Sequence, residues 1–134
     1  MTTIAARKLS VLAALLSGAL LAADYQPYED ARITVEQWQA YFDTVLLEFA
    51  DTMQEEADVN LVLFHDESTS TYFAFTTTAN PAHPAWVTRR VIEQDGEIAV
   101  EQIGYFAGDE ASFADLFDAI SDLSAEMQKE FQRE

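Results

Sequence analysis

The dipeptide Asp95-Gly96 lies between two long runs rich in β-branched and aromatic residues, Ala85 to Gln94 and Glu97 to Ala107. Asp-Gly readily adopts the two positive φ angles of a type I′ turn, so the runs read as a hairpin closed by a two-residue loop. That loop length sets the register. Gln94 then faces Glu97, Ile92 faces Ala99, Arg90 faces Glu101, Thr88 faces Ile103 and Trp86 faces Tyr105. On the other side Val91 faces Val100, Arg89 faces Gln102 and Val87 faces Gly104. A sheet with one wet face alternates apolar and polar residues, and this one carries apolar pairs on both faces. Each face therefore needs a cover, supplied by helices, by a partner or by a ligand.

Two helical patterns bracket the strands. Thr34 is placed as an N-cap with Gln37 at the capping-box position, and Ile33 and Trp38 are spaced as a hydrophobic staple. Trp38, Phe42, Val45, Phe49 and Met53, widened by Tyr41 and Leu46, predict an amphipathic helix to about Ala57. The second helix opens near Asp109 and is marked by Phe113, Leu116, Phe117, Ile120, Leu123, Met127 and Phe131. Between them Val59 to His65 and Thr71 to Thr78 read as paired strands around the polar turn Asp66 to Ser70, and Asn80 to Pro84 as a loop. The predicted class is α+β, a four-stranded antiparallel meander packed with two long helices in the order α-β-β-β-β-α. These elements form a single domain over residues 34–134, preceded by a polar leader at 24–33.

The first 23 residues read as an address. Arg7 and Lys8 precede an uncharged Leu/Ala-rich stretch, Leu9 to Ala23, too short for a bilayer span and followed by the first acid, Asp24. This is the pattern of a signal peptide over 1–23, cleaved after Ala22 or Ala23, and it implies an exported protein, periplasmic or extracellular, with no stable membrane span after cleavage.

Charge and composition exclude several functions. With 24 acids against 7 basic residues, a net charge of −17, the chain lacks the cationic surface that nucleic-acid binding requires. With no cysteine it has no disulfide, thiolate nucleophile or Cys-bound zinc. His65 and His83 are its only histidines, and no metal-binding spacing surrounds them. No nucleophile elbow and no glycine-rich phosphate loop occurs, so no catalytic residue, metal or cofactor is assigned.

What remains are candidate binding residues. Trp86, Tyr105, Arg90 and Ile103 share one face of the hairpin and form the leading candidate surface. Arg89 and Arg90, the only basic residues between Arg32 and Lys129, point to opposite faces, and either could fork onto a carboxylate or phosphate. The plain alternative is a cross-strand pair of Arg90 with Glu101, and of Arg89 with Gln102 or Glu93. His83 lies in the proline loop, a candidate donor at the mouth of a pocket. Asp115, Asp118, Asp122 and Glu126 climb one side of the last helix as an acidic face. Like charges at that spacing cost stability, so the stripe serves solubility or meets a basic partner.

The expected function is a non-catalytic binding or protein-interaction module, whose partner is a protein with a basic surface or a small ligand. The alternative is a small enzyme or lipophilic-ligand carrier with a pocket between sheet and helices. A homodimer closed across the sheet face is the third arrangement the pattern allows.

Overall fold

The computed structural model describes residues 23–133 and the side chains of residues 23–130. The expected signal peptide lies outside the described residues except for Ala23, whose N–H donates to the Glu48 carboxylate at 3.0 Å. The first helix, α1, spans Val35–Phe49. Its capping box forms as the spacing predicts: Gln37 N–H donates to Thr34 Oγ1 at 3.0 Å, and Thr34 N–H donates to Gln37 Oε1 at 2.9 Å. Trp38, Tyr41 and Val45 are its buried residues, with Phe42, Leu46 and Phe49 packed alongside.

The helix stops well short of Ala57. Thr52 Oγ1 donates to the Phe49 carbonyl at 2.8 Å and accepts the His65 N–H at 3.0 Å, within a 3-10 turn over Ala50–Thr52. Met53, which continued the helical periodicity, is 47% exposed. Gln54–Glu56 then forms a strand, β1, antiparallel to Leu61–Asp66, β2, with Gln54 opposite Leu63 and Glu56 opposite Leu61. The sheet thus has five strands rather than four, in the order β1-β2-β3-β4-β5, and the chain order is α-β-β-β-β-β-α. A Gln-Glu-Glu segment carries helix propensity and no strand signal; pairing with β2 overrides it, and the exposed charges suit an edge.

The remaining strands are β3 (Thr71–Thr76), β4 (Ala85–Gln94) and β5 (Glu97–Phe106). The β4–β5 register matches the hairpin expectation pair for pair, from Gln94 with Glu97 to Trp86 with Tyr105. Asp95 and Gly96 take φ values of 54° and 82°, as a type I′ turn requires.

Each face of the sheet receives its own helix. Val62, Phe64, Phe73, Phe75, Trp86 and Tyr105 meet α1 in one cluster, joined by Ile33. The leader straps this face: Tyr105 Oη donates to the Tyr28 carbonyl at 2.9 Å, and Tyr41 Oη donates to the Asp24 carbonyl. On the opposite face Ala74, Ala85, Val87 and Phe106 meet the second helix, α2 (Glu110–Arg133), through Phe113 and Ile120. Asp109 caps α2 by accepting the Ser112 N–H at 2.9 Å.

The seat of α2 depends on two β5 residues. A Cβ on Gly104 would lie 2.7 Å from the Phe113 ring, so only glycine admits this approach. Gln102 donates to the Phe117 carbonyl and Ser121 Oγ, and accepts from Ser124 Oγ, each at 3.0 Å. Ser124 therefore takes an inward position, and Leu123, expected on the apolar face, is 60% exposed. A part-buried glutamine amide needs polar partners, and a leucine at Ser124 would leave its Oε1 without that donor. Among the described residues no helix is long and apolar enough to cross a membrane.

Candidate functional site

Trp86 and Tyr105 are core residues. Trp86 is fully buried, its ring 4.3 Å from Tyr41 and 4.8 Å from Tyr105. Arg90, on the same face, stacks its guanidinium over Tyr25 at 3.9 Å and directs Nε toward Thr71 Oγ1 at 3.4 Å. Among the described residues Arg90 makes no ion pair within 4.0 Å, although Glu101 stands opposite it in register. Burial, aided by the Glu101 charge, pushes the Tyr25 hydroxyl up to about 12, so it stays protonated at neutral pH.

His83 packs into the fold. Its Nδ1 lies 2.8 Å from Thr76 Oγ1 and its ring meets Trp38 edge-on at 5.1 Å. Partial burial lowers its pKa, favouring neutral imidazole. His65 lies elsewhere: Leu61 pairs with Thr76 and Asp66 with Thr71, so the two histidines occupy opposite ends of the β2–β3 pair. Among the described residues no group of three or more His, Cys, Asp or Glu is placed to hold a metal ion.

Ile103 and Asp118 do come together. With Ala31, Gly104, Phe106, Glu110, Phe113, Ala114 and Phe117 they line a groove of about 460 Å³ between β5, the leader and α2. Its floor is apolar, formed where the Phe113 and Phe117 rings pack against Gly104. Its rim is acidic, from Glu110 and Asp118, with Asp115 exposed between them and Asp122 one turn beyond on α2. Glu126, the last of the stripe, is paired with Lys129 at 3.8 Å, and Glu110 meets Arg32 at 3.7 Å.

The groove runs beside an open edge. β5 is the last strand of the sheet, and its even-numbered residues turn their N–H and C=O groups outward. At one end the leader takes these groups: Phe106 N–H donates to the Ala31 carbonyl, and Ile33 N–H to the Phe106 carbonyl, both at 2.9 Å. At the other end Val100 N–H donates to Gln128 Oε1 at 3.4 Å. Between them the backbone of Gln102 and Gly104 faces outward along the groove. Searches of protein-family models, curated proteins and solved structures find no match to this chain.

Sequence reasoning reached Ile103 and Asp118 but not the groove. The available signal was Gly104, a glycine inside a strand, which marks a close approach or a gap in side-chain cover. The leader's role was not readable, since Ala31 and Arg32 carry no periodicity.

Proposed function

We propose that this chain is an exported, non-catalytic interaction module that takes an extended, basic segment of a partner protein along β5. The observation that carries the reading is the outward backbone of Gln102 and Gly104 beside an apolar groove with an acidic rim. An added strand would draw affinity from main-chain hydrogen bonds and specificity from the side chains it turns toward α2, an apolar one at the groove floor and basic ones at the Glu110 and Asp118 rim. The net charge of −17 steers such a partner over distance. Export rests on the N-terminal pattern; cleavage after Ala22 would leave the new Ala23 ammonium beside the Glu48 carboxylate that its nitrogen already meets.

The test is fluorescence anisotropy with a synthetic peptide whose one face carries both valine and lysine, compared with the same peptide N-methylated on alternate amides. The unmodified peptide should bind, weaken with added salt and lose affinity when Asp118 and Glu110 are changed to lysine. Equal binding of the two peptides would reduce the interaction to general charge attraction, and no binding of either would remove the reading.

A further inference from the structure

Arg89 stands inside a strongly acidic protein, yet among the described residues no acid lies within ion-pair distance of it. It belongs to the row His65, Tyr72, Arg89, Gln102, paired in that order across β2 to β5 on the α2 face. Gln102 is held beneath α2, so the row emerges from under the helix at Arg89. The two neighbours of Tyr72 both use its ring: His65 stacks on it at 4.3 Å and 14°, and the Arg89 guanidinium lies 5.6 Å from its centroid. With Thr52, Gln54, Leu63, Phe64 and Phe73 these three enclose a cavity of about 270 Å³.

The chemistry of this cavity is one-sided. None of its lining residues is an acid, in a chain that has 24 of them. Among the described residues Arg89 has neither an ion-pair partner nor a hydrogen-bond acceptor, and its guanidinium is partly withdrawn from water. A desolvated cation lacking a counter-charge is costly, and an anion supplied from outside removes that cost. The planar fork of arginine suits a carboxylate held by two parallel hydrogen bonds.

We infer that this cavity binds a small organic monocarboxylate, with Arg89 as its anchor, His65 and the Tyr72 hydroxyl as further donors, and Leu63 and the Tyr72 ring against its apolar body. A phosphate dianion fits less well. The site has one permanent cation, and Gln54, at its rim, holds the Glu56 carboxylate through its side-chain amide. The volume lies near the lower end for ligand pockets, which limits the occupant to a small molecule.

Calorimetric titration of benzoate into the full-length protein, with inorganic phosphate as the comparison, tests this assignment. Benzoate should saturate a single site, and phosphate should bind about tenfold more weakly or less. Arg89→Gln should lower benzoate affinity at least about tenfold, whereas Arg90→Gln, on the opposite face, should leave it unchanged. If Arg89→Gln fails to fold, Arg89→Lys decides: it keeps the charge and most of the stem, so it should melt near the parent while binding benzoate several-fold more weakly. No saturable benzoate heat at millimolar concentration, unchanged affinity in folded Arg89→Lys, or phosphate binding as tightly as benzoate would each overturn the inference.

Discussion

Thr88 illustrates how a single atom can be out of keeping with its surroundings. Its side chain is fully buried between Phe73 and Ile103 in the register, yet Oγ1 has no hydrogen-bond partner among the described residues. An unpaired buried hydroxyl costs about 1–3 kcal/mol, so Thr88→Val, which keeps the β-branched shape, should stabilise the protein by about 1 kcal/mol in urea unfolding. Asp66 is the converse case. Burial alone would raise its pKa, but hydrogen bonds from Ser68 and Thr69 outweigh it and hold the carboxyl below the ordinary 3.8. A carboxylate with a depressed folded pKa contributes stability that is present above the unfolded value and lost as pH falls through the folded one. Wild type should therefore exceed Asp66→Asn in stability at neutral pH, and the gap should close as pH falls below 3.8 in parallel urea titrations.

Among the elements, β4 and β5 were legible and β1 was not, for a physical reason. The Asp95-Gly96 turn and its flanking runs hold their instructions locally, so register follows from neighbours in the chain. Gln54-Glu55-Glu56 holds none; it becomes a strand only because Thr52 ends α1 and turns the chain onto β2. The same distinction applies to α2. Its apolar spacing was readable, but its rotation is set by Gln102 across the interface, which draws Ser124 inward and leaves Leu123 outside. Gly104→Ala tests that seating. A methyl group meeting the Phe113 ring should displace α2 and cost about 1–3 kcal/mol, read as a lower melting temperature and increased amide exchange in α2. The candidate groove depends on the same seating, which is why Ile103 and Asp118 could be named from sequence while the groove that joins them could not be assembled.

For the molecule as a whole, charge is the dominant background. A net charge of −17, with exposed Asp115, Asp118 and Asp122 on one helix, makes the compact state self-repelling. Added sodium chloride shortens the screening length from about 10 Å at 0.1 M to about 3 Å at 1 M, so the urea midpoint should rise with salt. A midpoint that falls would mean that attractive pairs outweigh the repulsion, and a flat one that the two cancel. The ion pairs Arg32–Glu110 and Lys129–Glu126, at 3.7 and 3.8 Å, are both exposed and offset little of this repulsion.

The leader strap also bears on the order in which the chain assembles. Every strand pairs with its neighbour in sequence, so the sheet can zip from the Asp95-Gly96 turn at small entropic cost. The exception is the bridge of Arg32 to Phe106, reinforced by the bond from Tyr105 to Tyr28, which closes a loop of 77 residues. Such a closure is favourable only after the meander exists, so the strap docks late. Weakening it should mainly accelerate unfolding and leave the refolding rate little changed. Until it docks, the Phe106 end of β5 is open as well, and the nascent sheet presents a longer free edge than the finished one.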